Sequence, residues 1–246
     1  MLRSVCISSR GGFVLFSADF EGNGKNIHSI SGLLTALTDI SKRSVGCPVS
    51  YVLMKNLAIT IVQSEETGIK VILFHDAAYF RVLAHRIATE IMKAFTEKFP
   101  PSTYNGNDSS IFRHFNSSLG PAIRNASFFI LHSLIERLRG AIQFAVVLID
   151  GDAAFTYPSN ANSLSVAANS QALQFSLSEI AGITDDQPYE LIIEGVQIFT
   201  HVVLFGTAVV FLQIRADYHS TKVVADLTET LDMLRLCFQT SEGLMA

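Results

Sequence analysis

Apolar positions along this chain alternate between a period of two and a period near 3.6, and each change of period marks an element boundary. Leu2 to Ser8 and Phe13 to Ala18 read as strands joined at Arg10-Gly11-Gly12, where glycine supplies the positive φ of a hairpin turn. Ile30, Leu33, Leu34, Leu37 and Ile40 then fall at helical spacing, predicting an amphipathic helix with Ser29 or Ser31 as its N-cap. Beyond Gly46-Cys47-Pro48 come three β-rich runs, Val49 to Met54, Leu57 to Gln63 and Ile69 to Phe74, an antiparallel meander. A long helix is predicted over Ala77 to Lys98, its apolar face formed by Phe80, Leu83, Ala84, Ile87, Ile91 and Phe95, and Pro100-Pro101 ends it.

Pro100 to Ser110 is the most turn-rich stretch and is expected to link two domains. A short helix from Ser110 to Leu119 is predicted next, then a break at Gly120-Pro121. A further helix follows through Glu136, with Ala122, Ile123, Ala126, Ile130, Leu134 and Leu138 on one face. The first half's grammar then repeats. Ala141 to Ile149 and Ala153 to Tyr157 are strands around Asp150-Gly151-Asp152, followed by a helix over Val166 to Ile180. Tyr189 to Glu194, Val196 to Phe205 and Thr207 to Arg215 are three more strands. A last helix from Ser220 carries Val223, Val224, Leu227, Leu231 and Leu234. The predicted class is α+β, with two five-stranded antiparallel sheets and packed helices.

Composition narrows the function. Hydrophobic residues make up 49% of the 246 and charged residues 16%, too little charge to cover an ordinary monomer, so some apolar surface is expected to meet a partner. The formal charge of −4 has no clustered Lys/Arg, which excludes a nucleic-acid footprint. Cys6, Cys47 and Cys237 are odd in number and far apart, and read as three buried, reduced thiols. The N-terminus has no secretory pattern, so a cytoplasmic location is expected and the sequons at Asn107, Asn116 and Asn125 are expected to stay unmodified. The apolar runs Phe128 to Ile149 and Leu191 to Ile214 are interrupted by charges and glycines and are not expected to span a bilayer.

No constellation for chemistry emerges. Gly22-Asn23-Gly24-Lys25-Asn26 fails as a phosphate loop, because Asp19 stands where the motif's first glycine belongs and Asn26 where its Ser/Thr belongs. His132 and Glu136 lie one helical turn apart, and Asp76 is placed to cap a helix, but no three metal ligands converge in the pattern. No nucleophile elbow surrounds any serine. The chain is expected to need no cofactor or metal and not to be an enzyme.

Residues 1–110, in the order strand, strand, helix, three strands, long helix, resemble a longin domain. Residues 111–246, with Arg139-Gly140 ahead of the first strand and Asp150-Gly151 at its hairpin, resemble a roadblock domain. The resemblance implies a non-enzymatic adaptor or scaffold in a small-GTPase-linked trafficking or signalling complex. The implied partners are a Ras-like GTPase or other longin and roadblock subunits, with a homodimer or peripheral membrane association through partners also open. The alternative is a motor-associated dimerisation module of the dynein light-chain kind. Roadblock-type domains pair through the third strand of each sheet, which here implies Val49, Tyr51 and Leu53 in one half and Tyr189, Leu191, Ile192 and Ile193 in the other. Both strands lack the Lys or inward charge that protects an open edge. A linker of about ten residues can reach ~30 Å, so pairing within one chain into a ten-stranded sheet and pairing between chains are both open.

Overall fold

The computed structural model describes residues 2–20, 27–78, 80–105, 109–160, 190–218 and 220–243, with 165–166, 169, 172–173, 175–176 and 179. The chain forms two compact units, Met1–Ala126 with Thr240–Ala246, and Ser127–Gln239.

The first unit runs β1 (Leu2–Ser8), β2 (Val14–Asp19), α1 (Ile27–Val45), β3 (Tyr51–Leu53), β4 (Leu57–Gln63), β5 (Lys70–Asp76) and α2 (Arg81–Lys98). Its strands form one antiparallel sheet in the order β2-β1-β5-β4-β3. β5 is central and buried on both faces, which is why its middle, Val71 to Phe74, is a continuous apolar run rather than an alternation. Cys6, Ile59, Ile61, Ile72 and Phe74 share one face with Leu34 and Ile30 of α1. α2 lies over β4 and β5 through Leu83, Ala84, Ile87, Ile91 and Phe95.

Several local expectations give way to packing. α2 begins at Arg81 rather than Ala77 because β5 extends through Asp76. The Asp76 carboxylate is taken by Arg3, whose Nε donates to it at 2.6 Å, so it caps nothing, and Phe80 precedes the helix without a side-chain cap. Pro101–Asn105 and Ser109–Phe115 are 3₁₀ turns held against the end of α2. The Phe95 ring meets Phe99 at 5.0 Å, Tyr104 at 5.9 Å, Phe112 at 5.4 Å and Phe115 at 5.1 Å, and the Tyr104 hydroxyl donates to the Phe99 carbonyl at 2.6 Å. Gly120-Pro121 does not break the chain: α3 (Asn116–Arg137) runs through it, with Pro121 exposed in the second turn at the cost of one hydrogen bond to the Ser117 carbonyl. Cys6 and Cys237 are buried, and burial pushes the Cys6 thiol up to about 12, but Cys47 is exposed, contrary to the reading of three buried thiols.

The second unit holds β6 (Ile142–Ile149), β7 (Asp152–Tyr157), β8 (Glu190–Glu194), β9 (Ile198–Phe205), β10 (Ala208–Arg215) and α4 (Thr221–Gly243). Its sheet order, β7-β6-β10-β9-β8, is the first unit's order repeated. Leu131, Leu134 and Ile135 of α3 and Leu227, Leu231, Leu234 and Phe238 of α4 cover one face with Ile142, Ala145, Val147, Val203, Val210 and Leu212. On the opposite face Val166 and Leu173, from the predicted Val166 to Ile180 helix whose described residues are helical, pack on Val146, Leu148, Val209 and Phe211. β9 starts at Ile198, two residues later than expected, because Gly195 turns the chain tightly: its N–H donates to the Ile198 carbonyl at 3.0 Å, and a Cβ there would sit 2.9 Å from that oxygen. The expected α+β class with two five-stranded antiparallel sheets is the observed architecture.

Candidate interaction surface

The third strand of each sheet lies at its edge, as the sequence-based alignment requires. In the first unit the strand is only Tyr51–Leu53, shorter than the expected Val49 to Met54. Pro48 offers no donor ahead of it, and a tight turn closes behind it, with Met54 N–H donating to the Leu57 carbonyl at 2.8 Å. Tyr51, Val52 and Leu53 pair with Thr60, Ile59 and Ala58. Val49 is half-buried against the α1 side of the core, as is Val52. Tyr51 is half-buried, with the Arg81 guanidinium 4.8 Å over its ring, a cation–π contact that fixes the side chain. Leu53 stands 63% exposed beside Met54.

Behind Tyr51 lies a buried polar pair. His75 is fully buried, its ring 6.2 Å from that of Tyr51, and its two nitrogens lie 3.0 Å from the Asp76 carbonyl and 2.9 Å from Thr60 Oγ1. A carbonyl only accepts, so Nδ1 carries the proton and the Thr60 hydroxyl donates to Nε2, which makes the ring neutral. Burial holds its proton affinity below the usual histidine value.

In the second unit Leu191, Ile192 and Ile193 of β8 pair with Val202, His201 and Thr200. Leu191 turns into the core beside Val202, while Ile192 and Ile193 are about half exposed on opposite faces. Tyr189 lies outside the described residues. Glu190 turns inward, its Oε1 3.0 Å from Nδ1 of the buried His201, whose Nε2 has no partner among the described residues. This charge at the strand's start was not among the sequence-predicted features. Within its own unit β3 pairs with β4, and β8 with β9. Among the described residues each short strand has a ladder on one side only, and an edge of this kind can take an added strand on the other.

The helix beside the first edge is the larger surprise. Leu33, Leu37 and Ile40 of α1, read as part of a core stripe, are exposed, and Ser31, Leu34, Thr35 and Thr38 are buried instead. The signal for this lies in the hydroxyl residues at 31, 35 and 38, themselves at helical spacing, and in Lys70 within an otherwise apolar strand.

Among the described residues no three His, Cys, Asp or Glu side chains group as metal ligands, and His132 and Glu136 are both exposed on α3. The failed phosphate loop at 22–26 lies outside the described residues. A shallow cleft of about 390 Å³ is lined by Gln143, Gln197 and the ion-paired Arg215 and Asp217. No described helix is long and apolar enough to cross a membrane.

No protein-family model and no curated protein matches the chain. Among solved structures it is similar to Myxococcus xanthus MglB, at 12% identity and a TM-score of 0.40 over 46% of this chain and 94% of that one. A tetrameric arrangement of MglB gives 15% and 0.41, over 49% of this chain and 93% of the other. A Roadblock/LC7 domain from Streptomyces avermitilis gives 17% and 0.37, over 44% and 94%. Each neighbour is spanned almost entirely, and each takes in less than half of this chain; likeness at this level does not carry function across.

Proposed function

We propose that this chain is a non-enzymatic adaptor subunit of a small-GTPase-linked trafficking or signalling complex, docking other proteins by strand addition at β3 and β8. The observation that carries the reading is that two sheets of identical strand order each leave the same strand at an edge, with Leu53, Ile192 and Ile193 exposed along it. An added strand gains main-chain hydrogen bonds from such an edge, and the exposed side chains give it specificity. The longin and roadblock resemblance supplies the class of partner: a Ras-like GTPase or another longin or roadblock subunit. The exposed side chains in the middle of each edge are apolar, with Glu190 and Glu194 at the two ends of β8, an arrangement that suits a sustained assembly more than a brief charge-steered encounter.

The test is binding of the purified chain to a panel of Ras-like GTPases, loaded with GDP or a non-hydrolysable GTP analogue, and to longin and roadblock subunits. Leu53→Lys and Ile193→Lys are measured alongside. Saturable binding that one of the two variants abolishes is the expected result. A panel with no binder rejects the GTPase-linked reading, and binding indifferent to both variants rejects the edges as the docking surface.

A further inference from the structure

Helix α1 packs on the wrong side of itself. At roughly 100° of rotation per residue, the arc containing Leu33, Leu37 and Ile40 is centred about 140° round the helix from the arc of Ser31, Leu34, Thr35 and Thr38 that the fold buries. Leu33 is 72% exposed and Ile40 61%, while Ser31 and Thr35 lie inside at 1% and 6%. The buried arc is only partly satisfied: among the described residues Thr35 Oγ1 and, on the facing strand, Ser8 Oγ have no hydrogen-bond partner, and Ser31 has only the Cys6 thiol beside it. Thr38 donates to the Leu34 carbonyl at 2.7 Å. Apolar burial and hydroxyl solvation both favour the opposite orientation.

Something in the sheet must oppose them, and Lys70 is placed to do so. It opens β5 opposite Ser8, on the face that Cys6 and Ile72 share with α1, and is 1% exposed, one of the largest fully buried side chains in the unit. Among the described residues the charge that acts on it is Asp39 of α1. We propose that Lys70 holds α1 rolled outward, so that its hydroxyl arc and Asp39 face the ammonium and the Leu33-Leu37-Ile40 stripe is presented to solvent.

Rolling the stripe inward would press Leu33 and Leu37 toward the ammonium and carry Asp39 away from it, leaving a buried charge with neither water nor counter-charge. Burial already lowers the Lys70 proton affinity, and Asp39 works against that fall. Thr35 is in addition seated on the β1–β2 turn: a Cβ on Gly12, whose φ is +85°, would lie 3.2 Å from Thr35 Oγ1. With Lys70 made apolar, the electrostatic opposition to the inward roll is removed and only the seating of Thr35 on Gly12 remains. The inference concerns why the stripe is exposed and does not depend on what binds the sheet edges.

Thiol alkylation reads the roll. In a Cys47→Ser background, which removes the exposed native thiol, single cysteines replace Leu33 or Thr35, and their rates with N-ethylmaleimide are compared with Lys70 intact or as Lys70→Met. With Lys70 the cysteine at 33 reacts much faster than that at 35; with Lys70→Met the ratio of rates falls by about tenfold or more as the population shifts. An unchanged ratio in a folded Lys70→Met protein overturns the proposal. If that variant does not fold, Asp39→Asn at an exposed helix position decides: a ratio lowered severalfold supports the roll, and an unaltered ratio overturns it.

Discussion

His75 ties a single proton to the stability of the first unit. Its ordinary value of 6.5 is lowered in the fold, chiefly by burial. Between 6.5 and the folded-state value the unfolded chain takes up a proton that the folded chain refuses. The contribution is therefore fully present above pH 6.5 and is lost as pH falls from there through the folded-state value. We expect the melting temperature to drop across that window, and His75→Gln, which does not titrate, to flatten the drop. Equal slopes for the two proteins would show that His75 is not the group responsible. Thr60→Val removes the buried hydroxyl that donates to Nε2, at a cost of about 1–3 kcal/mol. Urea unfolding at pH 8, where the histidine is neutral in both states, isolates that loss.

Element by element, period and turn chemistry place the strands and helices, and three-dimensional packing decides their phase and ends. The hairpin at Gly12, the meander of β3 to β5 and its repeat in β8 to β10 were all readable, because period-two runs bounded by glycines admit few alternatives. The phase of α1 was not. Leu33, Leu37 and Ile40 follow the same rule as a core stripe, and what overrides it is a lysine about thirty residues later whose burial no local pattern announces. The docking edges were legible as strands, but Val49 and Tyr51 are tucked inward, and Glu190 faces His201, through contacts made only after folding. The stretch after Pro100 shows the same limit of composition. Its turn residues suggest a free linker, yet Tyr104, Phe112 and Phe115 gather round Phe95. We expect Phe95→Ala to cost about 3–5 kcal/mol and to expose residues 101–115 to protease first. Cleavage elsewhere before this segment would show that the cluster does not hold it. By contrast, Leu53→Lys and Ile193→Lys alter exposed positions and should each move folding stability by no more than about 0.5 kcal/mol, measurable by denaturant midpoint.

At the scale of the molecule, self-association is the first consequence of the open edges. Antiparallel pairing of a strand with its own copy obeys a two-fold axis, so β8 on β8 is a closed, isologous contact. Sedimentation velocity should show a mass that rises with concentration from monomer toward dimer, and Ile192→Lys should hold it at monomer. A wild type that stays monomeric at the highest soluble concentration reserves β8 for a different protein.

Having two such edges rather than one gives the chain a valence of two. A subunit with one adhesive strand stops at a pair, but one with two can propagate, each copy passing a free edge to the next, into an open-ended filament. For the chain to build a finite particle, its two edges must prefer different neighbours, one of them a terminator with no further edge to offer. The stoichiometry of the assembly is then set by the terminator's supply.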